Sequence, residues 1–328
     1  MSIRAVIHGR GHSVPDKVLT NADFERMVDT DSEWILQRTG IEERRVCTAE
    51  ESTSTLAIAA AKEALDSAGV RAADIDTVVV STVTGDMQFP STASIVQDAV
   101  GAKNAGAFDI GAACAGFIYS LSVSASMVES GRAKTVLLIG ADALTKFVDY
   151  TDRSTCILFG DGAGAFVLKG EEGTDRGLID TVMYSDGSGL VYINVEGGGS
   201  RYPHDLASSH GKKPYIYMAG PETYKFAVKA MVDACGKVLE KTGMTASDVD
   251  LFVPHQANLR IIMSAASRLG LPEEKVYLNV QKYGNTSGGS IPLGLYEAVI
   301  DGRLEKNMVV MTVGFGAGLV WGANLIRW

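Results

Sequence analysis

A duplicated α/β architecture is what this sequence of 328 residues predicts. Three observations predict it. Helix-period stretches alternate with short apolar runs. Glycines gather at the junctions, in 111–116, 159–164, 197–199, 284–289 and 314–318. Two ordered units recur at nearly one offset.

The first unit, Leu65-Asp66-Ser67-Ala68-Gly69 through Asp74-Ile75-Asp76, leads into Val78-Val79-Val80. It reads as an amphipathic helix, a glycine stop, a turn and a buried strand. Leu65, Gly69, Ala72, Asp74 and Asp76 return 174 positions later as Leu239, Gly243, Ala246, Asp248 and Asp250, before Leu251-Phe252-Val253. The apolar stretch Ala107–Ile110 predicts a strand, and Ala115–Ser130 predicts a helix buried on most sides. The second unit, Gly131-Arg132 before Val136–Gly140, returns 171 positions later as Gly302-Arg303 before Met308–Met311. That offset carries Cys114 onto Asn285. Val276–Val280 reads as a further strand, and the sheets as largely parallel. The halves divide at 1–174, carrying Cys114, and 175–328, carrying His255 and Asn285.

Composition narrows the function. With 46% hydrophobic and 21% charged residues, the chain can bury a large core. A net charge of −9 argues against nucleic acid and anionic membranes as partners. The stretch Met1–Gly9 is too poor in apolar residues for a signal peptide, and no apolar run reaches the ~18 residues of a membrane span. A cytoplasmic location is expected. Cys47, Cys114, Cys156 and Cys235 are far apart and form no C-x-x-C pair, so neither zinc nor a disulfide framework is expected. His8-Gly9-Arg10-Gly11-His12 lacks the helix and acidic partner that a metal site needs, and no metal is expected.

Chemistry concentrates where strands end, because ligands of such sheets bind beyond the carboxyl ends. Cys114 follows Ala107–Ile110 and opens a helix, whose dipole favours a thiolate nucleophile. A packing cysteine is the alternative there, and is the reading for Cys47, Cys156 and Cys235. His255 follows Leu251–Val253, as a satisfied core histidine or as a neutral donor or proton acceptor. Asn285 is an N-cap or an amide donor for a developing negative oxygen. Gly314-Phe315-Gly316-Ala317-Gly318 is a turn or a source of oxyanion-binding N–H groups. Gly160-Asp161-Gly162-Ala163-Gly164 lacks the G-K-[ST] ending of a phosphate loop.

Five strings in order resemble the β-ketoacyl-acyl-carrier-protein synthase III family of the thiolase superfamily. They are Trp34–Ile41, Ala112–Phe117, Phe159–Ala165, Pro254–Asn258 and Gly284–Ser287. The resemblance covers nearly the whole chain. It implies a thiolase-like, pseudo-duplicated, five-layered α/β/α/β/α fold. It also implies an acyltransferase that starts fatty acid biosynthesis by decarboxylative condensation, with no cofactor beyond its coenzyme A thioester substrate. Cys114 would carry the acyl group, most often acetyl, and the backbone of Cys114 and Ala317 would bind the oxyanion. His255 and Asn285 would hold the thioester oxygen of malonyl-acyl carrier protein. Trp34, Arg38 and Arg153 match contacts to coenzyme A, and Asn258 the pantetheine tunnel. Phe89 matches a cap on the acyl pocket of a dimer partner, which implies a homodimer. Lys225 and Arg260 match positions of carrier-protein docking.

There are departures. Ala317 stands where the family often has glycine, and Ser267-Arg268 where some members pair two lysines. Segment 197–221 is a longer connection. Degradative thiolases place a second cysteine in the last glycine loop, and Gly314–Gly318 has none. The remaining alternative is a related condensing or acyl-transferring enzyme of secondary metabolism.

Overall fold

The computed structural model describes residues 3–328; Met1 and Ser2, part of the stretch read for a leader, lie outside the described residues. Strand β1 (Ile3–Ser13) opens the chain. A ribbon of β2 (Val18–Thr20) and β3 (Glu43–Arg45) encloses α1 (Asn21–Glu25) and α2 (Ser32–Thr39). Then come α3 (Thr53–Ala68), β4 (Thr77–Ser81), α4 (Thr92–Ala99), β5 (Gly106–Ile110), α5 (Gly116–Glu129), β6 (Thr135–Ala143) and β7 (Asp161–Glu172). The rest is β8 (Gly177–Ser185), β9 (Ile193–Asn194), α6 (His204–Ser209), β10 (Tyr217–Met218), α7 (Gly220–Thr242), β11 (Leu251–Pro254), α8 (Leu259–Arg268), α9 (Val280–Tyr283), α10 (Ser290–Ile300), β12 (Val309–Gly316) and β13 (Val320–Arg327).

Two sheets form, ordered β1-β7-β6-β4-β5 and β11-β12-β13-β8. Both are mixed. β4 runs parallel to β5 and β6, and β11 parallel to β12, but β7, β1, β13 and β8 are antiparallel to their neighbours. The largely parallel expectation fails because β12 and β13 are joined by Ala317–Leu319 alone. A crossover helix cannot fit there, so the strand must turn back.

Alternating strand residues sort the core into layers. Val78 and Val80 face α3, packing on Leu56, Ala60 and Ala64. Val79 points the other way, with Leu138 and Phe166, onto Phe117 and Leu121 of α5 and Ile291 and Leu295 of α10. Leu251, Val253 and Val310 close that central layer from the second sheet. Phe252, Met311 and Val313 face outward to α7 and α8, at Met231, Val238 and Ile262. The order is therefore α/β/α/β/α, with α5 and α10 buried between the sheets. Each fully buried Leu or Phe there contributes roughly 1.5–3 kcal/mol of burial free energy.

The halves correspond at an offset of 174 where the central helices begin. A short 3-10 turn, Ala113–Ala115, precedes α5, and its counterpart Ser287–Gly289 precedes α10, 174 positions later. Both turns start on a non-glycine residue in the left-handed region, Ala113 at φ 42° and Ser287 at φ 47°. Cys114 thus corresponds to Gly288, and Asn285 to Gly111, which corrects the pairing of Cys114 with Asn285. The offset of 171 holds only at the helix ends, because α10 has 11 residues and α5 has 14. Val276–Val280 is not a strand either. Val276 makes one isolated bridge to Phe252. The buried side chain of Gln256 accepts hydrogen bonds from the N–H groups of Asn279 (3.0 Å) and Val280 (3.1 Å), replacing a ladder and turning the chain into α9.

The Gly160–Gly164 string is explained by close approach. It runs into β7, where α10 lies against the sheet. A Cβ on Gly164 would sit 2.7 Å from Pro292 Cβ and 2.8 Å from its carbonyl carbon, and one on Gly140 of β6 would strike the Gly288 carbonyl. Overpacking that backbone cannot relieve belongs at or above the top of the ~1–3 kcal/mol range for added methylenes. Gly164→Ala is expected to lose at least about 3 kcal/mol in denaturant unfolding. Gly236 of α7 faces open space, so Gly236→Ala is expected to gain about 0.5–1 kcal/mol. Equal effects of the two substitutions would contradict this packing.

Candidate active site

A cavity of about 520 Å³ opens where the two sheets end. Cys114, His255, Asn285 and Ala317 all line it, together with Asn258. The second sheet brings its backbone directly onto the cysteine turn. A Cβ on Gly316 would lie 2.7 Å from the Cys114 nitrogen, and one on Gly314 would lie 2.9 Å from the Cys114 carbonyl oxygen. The two glycines are what lets the end of β12 reach the cysteine turn, with Ala317 on the same cavity wall.

Cys114 is half-buried at the entrance to α5. Burial pushes its thiol up to about 12, against the lowering influence of the Ser287 and Asn285 side chains beside it. The expected bias toward thiolate is outweighed by desolvation, and the resting sulfur keeps its proton. The other cysteines are buried. Burial raises the thiols of Cys47 and Cys235 too, and that of Cys156 to about 11.

His255 is 1% exposed, and neither ring nitrogen has a hydrogen-bond partner. Desolvation pushes its pKa down to about 3, so the ring is neutral and offers one N–H. The backbone N–H of His255 donates to the Val313 carbonyl (2.8 Å), and the Phe315 ring packs on the imidazole at 5.4 Å and 67°. Asn285 is held at both ends. Its N–H donates to the Leu158 carbonyl (2.9 Å), and its carbonyl accepts from Gly160 (3.0 Å). Its Oδ1 accepts the Ser287 N–H at 2.9 Å. That bond fixes the amide orientation and leaves Nδ2 as a donor beside the thiol.

Other expected residues lie apart. Trp34 is flanked by two guanidinium groups, Arg38 at 5.8 Å and Arg153 at 5.5 Å from its ring centroid, and this cluster does not line the cavity. Asn258 connects the two. Its Nδ2 donates to the Arg38 carbonyl (3.0 Å), and its Oδ1 caps α8 at the Arg260 N–H (2.9 Å). Arg260 reaches over Tyr224, a cavity residue, at 5.6 Å, with exposed Lys225 next in sequence. Phe89 is 83% exposed and lies outside this cavity. The 197–221 segment contributes to a cavity wall: β10 pairs with β9, and Gly197, Ile216, Met218 and Gly220 line the site beside Ile193 and Val195.

Sequence reasoning missed Gln256, Phe315, Ser287 and Asp142. Gln256 staples the histidine loop, its Nε2 donating to the carbonyls of Pro254 (2.9 Å) and Tyr277 (3.1 Å). It adjoins His255 in sequence, so its place in that string was the available signal. Asp142 lies amid the apolar end of β6, and a charged residue in so buried a strand was the signal there.

Two halves of one family match the chain: 3-oxoacyl-[acyl-carrier-protein] synthase III over residues 108–187, and its C-terminal part over residues 239–328. This chain belongs to the β-ketoacyl-[acyl-carrier-protein] synthase III family. A family member from Symbiobacterium thermophilum is 49% identical over 100% of this chain and 99% of its own length. Another from Caldanaerobacter subterraneus subsp. tengcongensis is 48% identical, covering 99% and 98%. The solved synthase III of Aquifex aeolicus superimposes with a TM-score of 0.92 at 44% identity, covering 99% of this chain and 100% of that one. As a member of the synthase III family, the chain is a condensing acyltransferase with a thiolase fold. No helix among the described residues is long and apolar enough to cross a membrane.

The depressed pKa of His255 has a measurable consequence. Above about pH 6.5 the ring is neutral in both folded and unfolded chains. Between about pH 6.5 and 3 the unfolded chain takes up a proton that the folded one refuses, so stability falls with falling pH. Unfolding free energies of the native protein are therefore expected to drop faster than those of His255→Gln in that window, by up to about 1.4 kcal/mol per pH unit. Parallel curves would contradict a buried neutral histidine.

Proposed function

We propose that this enzyme transfers an acyl group, acetyl in the first instance, from acyl-CoA to Cys114. It then condenses that group with malonyl-acyl carrier protein, the first chain-forming step of fatty acid biosynthesis. The observation that carries this reading is the donor set of the cavity. Cys114 shares it with a neutral imidazole lacking any protein partner and with an amide whose oxygen is already satisfied.

Loading exchanges one thioester for another. Sγ bonds to the acyl carbon, the bond to coenzyme A sulfur breaks, and the Cys114 proton ends on the departing sulfur. The oxyanion of the tetrahedral intermediate is held by the N–H groups of Cys114 and Ala317. Condensation needs no strong base. Loss of carbon dioxide from the malonyl group leaves an enolate, whose oxygen accepts hydrogen bonds from His255 and Asn285. A histidine with a pKa near 3 is a poor base at neutral pH and a suitable neutral donor. The enolate carbon attacks the acyl carbon, and Sγ leaves and regains a proton. Removing one preorganised donor of this kind costs about 3–4 kcal/mol of transition-state stabilisation.

The halves contribute unequally: 1–174 the nucleophile, 175–328 the donors. Trp34, Arg38 and Arg153 take the adenine end of coenzyme A, stacking and pairing with it, and Asn258 lines the pantetheine path. Lys225 and Arg260 offer a local basic patch to an acidic carrier protein despite the net charge of −9. The working unit is a homodimer in the cytoplasm. Phe89, exposed on its own chain, caps the acyl pocket of the other. Acyl-CoA is a substrate, and no resident cofactor or metal takes part.

Intact-mass measurement after mixing with acetyl-CoA tests the roles. The native protein and Asn285→Ala are expected to gain one acetyl group, and Cys114→Ala none. Asn285→Ala is expected to decarboxylate malonyl-acyl carrier protein about 100- to 1000-fold more slowly. No mass gain on Cys114 would sink the acyl-enzyme, and normal condensation by Asn285→Ala would sink the enolate assignment.

A further inference from the structure

Ser287 stands two residues beyond Asn285, is 2% exposed and lines the cavity with Cys114. Its backbone adopts the left-handed φ of 47°, uncommon for a residue with a Cβ. Its hydroxyl is buried without a hydrogen-bond partner, a state that costs free energy unless something uses it. The hydroxyl lies beside both the Cys114 thiol and the Asp142 carboxylate, aligned for a good hydrogen bond with neither.

Asp142, fully buried at the end of β6, is asymmetrically occupied. Its Oδ1 accepts from Thr82 Oγ1 (2.9 Å), the N–H groups of Val83 (2.9 Å) and Thr84 (3.1 Å), and Thr84 Oγ1 (2.8 Å). Its Oδ2 accepts one hydrogen bond, from the Gly288 N–H (2.8 Å), and the Ser287 hydroxyl lies beside the same carboxylate. The Ser287 hydroxyl therefore has two acceptors within one rotation of its side chain. One is permanent, Asp142 Oδ2. The other exists only when Sγ carries negative charge.

We propose that Ser287 is a further catalytic residue: its hydroxyl swings from Asp142 Oδ2 to donate to the Cys114 thiolate. This rests on the acyl-cysteine reading. The thiolate arises twice in that cycle, when Sγ gives up its proton before bonding to the acyl carbon and when the Sγ–carbon bond breaks in condensation. Ser287 gives a hydrogen bond each time and transfers no proton. The proton goes to coenzyme A sulfur in the first step and comes from solvent in the second. The titratable groups facing Sγ are His255 from the end of β11 and Asp142 from the end of β6. β12, the turn Ser287–Gly289 and residues 116–118 of α5 bring none. β13 carries only Arg327, at its far end beside Asp175. Asp142 disfavours the thiolate by its charge, and the hydroxyl is placed to offset that.

The test uses the full-length protein without substrate. The rate of Cys114 alkylation by iodoacetamide is followed against pH, with the modified peptide identified by mass spectrometry. In Ser287→Ala the profile is expected to move to higher pH, and the rate below the midpoint to fall about ten- to 150-fold, the weight of one hydrogen bond to a charged group. Ser124→Ala, which removes another buried, unpartnered hydroxyl on α5 outside the cavity, is expected to leave the profile in place. An unshifted or downward-shifted profile in Ser287→Ala overturns the proposal. Acetyl loading by Ser287→Ala should slow by the same factor, with malonyl decarboxylation unchanged because the backbone N–H that holds Asn285 remains. A loss of decarboxylation as large as the loss of loading would mean a merely structural role. Failure of the native protein to load acetyl at all would reject the acyl-cysteine reading without touching the alkylation result.

Discussion

Everything in this active site depends on backbones meeting without side chains between them. The cysteine turn, the end of β12 and the turn before α10 converge on one point between the sheets. Gly314 and Gly316 press on the Cys114 peptide, and Gly140 presses on Gly288. Main-chain packing of this kind leaves few soft degrees of freedom, because no rotamer can absorb an error. The donors aimed at the cavity are thus set by the core of the fold rather than by loops. The large buried α5 and α10, packed on both sheets, are what hold that core in register.

The same burial determines the electrostatics. It keeps the thiol protonated and the imidazole neutral at rest. A site built from neutral donors suits a reaction whose negative charge appears on oxygen and sulfur only in passing. Decarboxylation supplies the carbanion, so the protein needs to stabilise charge and not to abstract a proton from carbon. The buried carboxylate beside the cysteine, Asp142, holds loops together. Five hydroxyl and N–H donors to its carboxylate tie residues 82–84 of the first half to Gly288 of the second.

Much of this was legible in the sequence. The continuous apolar run Val78–Val80 and the matched unit at Leu251–Val253 specified buried strands, and Cys114 and His255 followed from their places just beyond strand ends. The pairing of Cys114 with Asn285 failed because a linear offset cannot register that one central helix is three residues shorter than the other. Val276–Val280 looked like a strand because its apolar pattern fits one. A single buried glutamine, Gln256, takes its N–H groups instead, and side-chain capture of backbone leaves no periodic trace. The preference for thiolate was read from the helix start alone, whereas the competing desolvation depends on how the two halves close over the sulfur. Ser287 was invisible for a similar reason: a serine next to a glycine pair reads as turn chemistry until the cavity it faces is known.

A crystal structure of the protein soaked with acetyl-CoA tests the central claim most directly, that packed main chain sets the donors of a cysteine nucleophile. The account predicts continuous density from Cys114 Sγ to an acetyl group whose carbonyl oxygen lies about 2.7–3.1 Å from the N–H groups of both Cys114 and Ala317. An acetyl group on another residue, or a carbonyl oxygen turned toward His255 and Asn285, would contradict it.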